Sequence, residues 1–319
     1  MRWSCLILIY MIALPACRKD PAPEPGPSGG GAATPCVPLP SEPPFGWNYW
    51  LSAPFVWAPR WNPNDPNEFI ILEYRTAFLS KLWKYNLSTH EVEYLIEGQF
   101  LASAEWGASG WILLNFGWPA NIFKIKANGD SLTQLTFDAQ NFGGEWNYWG
   151  DTIVYYHADN STRIMLADGS FIQELPNGGG YAESISSWRH PAYLVNPSSG
   201  LYIFNPYEGV PVPLISEPSI GNYYRASFVN DLDRIVWTWN PGLHTTSIAT
   251  HETVLIEETC SSNAYSSVDC HPLNNKLLLA RVKQTPNDPV QNVLKNGSSV
   301  VIMNLDGSDK QIISIPFPE

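Results

Sequence analysis

Six aromatic or small apolar anchors recur along this chain at a nearly constant spacing, and that rhythm limits its architecture more than any other feature. They are Trp61, Trp106, Trp146, Trp188, Phe228 and Cys270, set 45, 40, 42, 40 and 42 residues apart. After each anchor comes an apolar run, at 69–72, 112–114, 153–155, 193–195, 235–237 and 277–279. A third run follows at 82–85, 122–125, 164–166, 201–204, 246–249 and 300–303, and a fourth at 92–95, 132–135, 171–175, 212–215, 253–256 and 311–313. Asn128-Gly129, Asp168-Gly169, Glu208-Gly209 and Asp306-Gly307 punctuate the third and fourth runs and supply the positive φ of a tight hairpin. No long helical stripe interrupts the pattern.

Four short strands per unit, six times over, predict an all-β chain folded as a six-bladed β-propeller of four-stranded antiparallel blades. A lone sheet of about 40 residues cannot cover both its faces, whereas radial stacking covers each against the next. The anchor tryptophans are therefore expected in the core between blades, where they bury the most apolar area. Pro59-Arg60-Trp61-Asn62-Pro63 and Ile302-Met303-Asn304-Leu305-Asp306-Gly307 resemble the two halves of the repeat of the TolB-type, WD40-like propeller family. That resemblance covers roughly residues 53–315 and implies a propeller. On function it implies only that members bind peptides and partner proteins or serve as accessory domains of peptidases.

The chain ahead of the repeats reads differently. Arg2 precedes an apolar stretch of about 12 residues, short of the roughly 20 that span a bilayer, so residues 1–16 are expected to be a signal peptide. Leu14-Pro15-Ala16-Cys17 resembles the lipobox of bacterial lipoproteins, which implies cleavage before Cys17 and its acylation, palmitate included. Arg18, where an inner-membrane retention signal has Asp, points to the outer membrane. Cys17-Arg18-Lys19-Asp20 is similar to the export signals of Bacteroidetes lipoproteins, so the protein would face the periplasm or the cell surface. Residues 17–44 are rich in Pro and Gly and form a tether, leaving 45–319 for the propeller. Lys and Arg total 18 against 30 Asp and Glu, a formal net charge of -12, which excludes a general binder of nucleic-acid phosphates.

Motif searches return little chemistry. Gly107-Ala108-Ser109-Gly110 lacks the second glycine of a hydrolase elbow. His90-Glu91 and His251-Glu252 begin like a zinc-peptidase motif but lack its second histidine. No cofactor is expected, and a monomer is. The expected function is a lipid-anchored envelope module that recognises a protein, peptide or glycan on an aromatic propeller face. A propeller-type glycan lyase or hydrolase, with acid and base drawn from separate blades, is the alternative. Trp118 and Trp239, each followed closely by a proline, lead the binding candidates. They are joined by His157, Asp159, Tyr181, Tyr223, Tyr224 and Tyr265. Two polar excursions, 240–245 and 283–297, are expected between second and third strands. Glu105, Glu145 and Asp269 directly precede anchors, with Arg60 in register, and are expected to face the channel as its water lining or as a weak metal site. With Cys5 lost and Cys17 acylated, the open pairings are Cys260 with Cys270 and Cys36 with Cys260.

Overall fold

The computed structural model describes residues 55–75, 79–117, 119–147, 149–159, 161–174, 185–189, 192–195, 201–204, 211–215, 226–229, 233–239, 242–259, 263–283 and 298–318. Among them every regular element is a β-strand. The first sheet holds β1 (Phe55–Asn62), β2 (Asp65–Tyr74), β3 (Leu79–Asn86) and β4 (Val92–Gln99). The next holds β5 (Ser103–Trp106), β6 (Trp111–Phe116), β7 (Asn121–Lys126) and β8 (Thr133–Gln134). It is followed by β9 (Asn141–Trp146), β10 (Thr152–His157), β11 (Thr162–Leu166) and β12 (Phe171–Glu174). Then come β13 (Ile185–Arg189), β14 (Ala192–Val195), β15 (Leu201–Phe204) and β16 (Pro211–Ile215). After these lie β17 (Ala226–Phe228), β18 (Arg234–Trp239), β19 (Gly242–Ser247) and β20 (Thr253–Glu258). The last sheet holds β21 (Asn263–Cys270), β22 (Leu277–Lys283), β23 (Ser298–Met303) and β24 (Gln311–Ile313).

In every sheet the strands lie in chain order and pair with antiparallel neighbours. The first strands β1, β5, β9, β13, β17 and β21 each touch the next, and β21 touches β1. The chain is thus an all-β propeller of four-stranded antiparallel sheets. One register repeats throughout: Trp61 pairs with Phe69, Trp106 with Ile112, Trp146 with Ile153, Trp188 with Tyr193, Phe228 with Ile235 and Cys270 with Leu277. Side chains alternate along a strand, so the residue before each anchor also holds one equivalent position.

Burial lies between sheets, as the repeat demands. Tyr74 and Leu82 of the first sheet pack with Trp106 and Ile112 of the second. Leu113 and Ile122 pack with Trp146 and Ile153. Among the described residues the seam between the first and last sheets is closed by side chains, with no exchanged strand. There Trp61, Phe69 and Trp83 pack with Leu278, Val300 and Ile302. The Trp61 indole N–H donates to the Lys276 carbonyl at 3.2 Å, and His271 Nε2 meets the Asn62 carbonyl at 3.2 Å.

Several expectations change. Gly129, Gly169 and Gly307 do take positive φ in the hairpins, at 83°, 91° and 82°. In the first and fifth sheets the same connection is a wider turn that puts His90 and His251 at φ 59° and 58°. Each His-Glu pair therefore belongs to a hairpin, where no helix can aim a second ligand. The excursion expected at 240–245 is mostly strand, since β19 begins at Gly242. Its polar residues are accommodated because Thr245 Oγ1 donates to the Ile235 carbonyl at 3.0 Å and the His244 ring stacks on Trp237 at 4.6 Å. Residues 284–297 lie outside the described residues. Cys270 is buried at the end of β21, packed with Val268, Leu277 and Leu279. Cys260 and Cys36 lie outside the described residues.

Candidate functional site

The position before each anchor builds the centre of the molecule. Arg60, Glu105, Glu145, Ser227 and Asp269 hold this register on five different first strands. Arg60 is 3% exposed. Its Nε donates to Glu105 Oε2 at 2.5 Å, and its Nη2 lies 3.9 Å from Glu145 Oε1. Burial alone would lower the Arg60 pKa, but Glu105, Glu145 and Asp269 outweigh it and hold the guanidinium more firmly charged than usual. Asp269 ties three sheets together. Its Oδ2 accepts the Trp61 backbone N–H at 2.9 Å, and its Oδ1 lies 3.5 Å from Ser227 Oγ, which accepts the Cys270 N–H at 3.1 Å.

Above this cluster, on the side of the turns that join first to second strands, opens a cavity of about 80 Å³. Trp61, Trp106, Trp146 and Phe228 wall it, and Glu105, Glu145 and Asp269 face into it. Gly107 lets the wall close up. A Cβ there would stand 2.8 Å from Cδ1 and 3.0 Å from Nε1 of Trp146, so only a glycine lets the indole edge reach this point. As a metal site the three carboxylates find no support: among the described residues no three His, Cys, Asp or Glu side chains converge to hold an ion. The cation in their midst is the chain's own Arg60.

The proposed aromatic face fares differently. Trp118, Tyr181, Tyr223 and Tyr224 lie outside the described residues, and of Trp239 only the backbone at the end of β18 is described. Tyr265 is buried, and its hydroxyl donates to Glu257 Oε2 at 3.1 Å. Burial, then that carboxylate, pushes its pKa well up. His157 is buried at the end of β10 between two carboxylates, with Nε2 3.1 Å from Asp138 Oδ2 and Nδ1 2.9 Å from Asp159 Oδ1. With both ring nitrogens occupied it offers neither to a substrate. Asp159 is exposed and held far below the usual carboxylate range, first by its bond with Ser161 and then by His157. Burial opposes ionisation of Asp138, but its bonds with Asn141 and His157 lower its pKa. This cluster locks a loop between the second and third sheets.

Reading the tryptophans as core missed one thing. Trp106 and Trp146 are core residues, yet each holds a buried indole N–H with no acceptor. Their place beside Glu105 and Glu145 is visible in the sequence. The missing acceptor is not.

No protein-family profile matches this sequence, and no curated protein matches it. Solved structures do share its fold. A chain of the crystal structure of a nidogen/laminin complex superposes with a TM-score of 0.54 at 11% identity, covering 72% of this chain and 88% of that one. TolB from Acinetobacter baumannii superposes with a TM-score of 0.57 at 15% identity, covering 82% of this chain and 63% of that one. At such identities the likeness is one of fold, and it supports a TolB-like propeller.

Proposed function

We propose that this chain is a lipid-anchored recognition module of the bacterial cell envelope that holds a protein partner on a six-bladed ring. In this reading acyl groups on Cys17 fix it to the outer membrane, and residues 17–44 space the ring from the bilayer. The observation that carries the reading is the channel mouth, where polar side chains from five first strands meet under a wall of aromatic rings. Those polar groups are engaged in an ion pair and in bonds to backbone N–H groups, an arrangement suited to holding rather than to chemistry. The fold shared with a chain solved in a complex of two proteins adds support for a protein partner.

The test is photo-cross-linking in living cells. A photoreactive residue in place of Ser109 or Leu273, exposed positions beside the mouth, should trap one discrete envelope protein. The same residue in place of Ile172, on the outer strand β12, should not. In parallel, Cys17→Ser should abolish incorporation of a clickable fatty acid and release the protein from the membrane fraction. A protein that cross-links to nothing from any position, or that is soluble with Cys17 intact, overturns the reading.

A further inference from the structure

Among the described residues, the rim of the ring presents one strand edge that nothing obstructs. The fourth strand of each sheet is paired on one side only, so its outward N–H and C=O groups invite another strand unless something prevents it. Five of these edges are obstructed. In β4, Glu93 and Glu97 are exposed and ion-paired with Lys84 and Lys81 of the neighbouring strand. β8 has two residues and β24 three. β12 has four, with a register shift in their midst, and β16 carries Pro211 and Pro213. β20 differs. Its six residues contain no proline or lysine, and the first three run in straight register opposite Thr246, Thr245 and His244. Val254 and Leu255 follow one another there at 52% and 51% exposure. Beside them a groove of about 510 Å³ is walled by Val254, Leu255, Ile256 and Leu305.

We propose that the β20 edge receives an extended segment of a partner protein, which joins the fifth sheet as an added strand and sets apolar side chains into this groove. The surface is separate from the channel mouth, and the inference goes beyond the reading of that site. Backbone groups of the segment satisfy the open edge, and the groove takes the side chains on one of its faces. Charge selects the occupant. Exposed Glu252 and Glu258 stand at the two ends of the edge, and Glu252 and Asp306 outnumber Arg234 on the groove wall. Glu257 is already engaged by Lys310 and by the Tyr265 hydroxyl. The segment is therefore apolar in its middle and basic at its ends. A second copy of this chain does not meet that requirement. Antiparallel self-pairing centred on Leu255 sets Glu252 of one copy opposite Glu258 of the other at both ends, and like charges so placed repel.

Synthetic peptides added to the full chain test this. A capped Lys-Val-Thr-Val-Thr-Val-Lys peptide should bind saturably and slow amide exchange in β20, with exchange in β12 unchanged. Replacing its central valine by proline removes an N–H from the ladder and should abolish the protection. Glutamates in place of its two lysines should weaken binding by about tenfold. On the protein, Val254→Lys should weaken binding of the lysine-flanked peptide by about tenfold, while the melting temperature of this exposed-site variant stays as it was. Equal binding of the proline peptide, equal protection of β12, or no protection of β20 at any peptide concentration overturns the inference. So does protection of β20 that rises with protein concentration in the absence of peptide, since the occupant is then a second copy. Failure here is distinct from failure of the reading above, because a partner trapped from Ser109 or Leu273 at the mouth still cross-links whichever way these peptides behave.

Discussion

At the scale of single residues, the centre of the molecule depends on contacts that admit little substitution. Gly107 is one. Its replacement by alanine drives a methyl into the Trp146 indole, 2.8 Å from the nearest ring atom. Gly107→Ala should lower stability by about 1–3 kcal/mol, measured by urea unfolding, because the ring is wedged between sheets and cannot retreat. His271 is another. It is fully buried against Trp61, its ring 5.4 Å away and edge-on. Burial lowers its pKa below the ordinary 6.5, outweighing its bond to Asn62 and the pull of Asp269 and Asp65. The folded protein thus keeps this ring neutral at a pH where the unfolded chain already takes up a proton. Its contribution is complete above about pH 6.5 and declines as pH falls from there toward the lowered value. Stability to urea should therefore drop as the pH falls below about 6.5, and His271→Gln should flatten that slope.

At the scale of elements, the hairpins show which part of a repeat tolerates drift. Gly129, Gly169 and Gly307 occupy their left-handed turns without strain, whereas His251 reaches φ 58° with a side chain attached. That conformation is unfavourable for an L-residue outside glycine. His251 is exposed, so His251→Gly should raise stability by up to about 1 kcal/mol, read from the shift in unfolding midpoint. The strands themselves were readable where apolar alternation was strong: β24 spans the predicted 311–313, and β12 and β20 start where expected. The sequence reading failed at the start of β19, whose polar stretch looks like a loop until Thr245 is seen to donate to the Ile235 carbonyl and His244 to stack on Trp237. Hydrophobic periodicity cannot register a threonine whose hydroxyl is matched inside a sheet.

At the scale of the whole molecule, the first and last sheets are joined by side-chain packing and hydrogen bonds. Phe317 lies 5.5 Å from the Trp83 ring, and Arg75 donates to the Pro318 carbonyl at 3.2 Å, so the last residues fasten the final sheet onto the first. Deleting residues 314–319 should cost about 2 kcal/mol of buried apolar surface. Amide exchange should then quicken first in β1 and β2, while strands of the second and third sheets stay protected. Much of this plan was present in the sequence alone. A sheet that must cover its face against a neighbour needs one large or apolar anchor per unit at a fixed place, so the period, the strand order and the burial of Trp61, Trp106 and Trp146 were legible from spacing. Even the inward setting of Glu105, Glu145 and Asp269 followed from their place beside the anchors. What spacing could not reveal is who meets whom. Arg60 and Glu105 stand 45 residues apart in the chain, and Trp61 and Asp269 208 apart. They become partners only because the sheets stack around one axis. The same stacking buries Tyr265 and Cys270, occupies both nitrogens of His157, and leaves the indole N–H groups of Trp106 and Trp146 buried without an acceptor. Burial is imposed on each unit by its own composition, whereas the pairing of polar groups between units exists only once the chain has brought its two ends together.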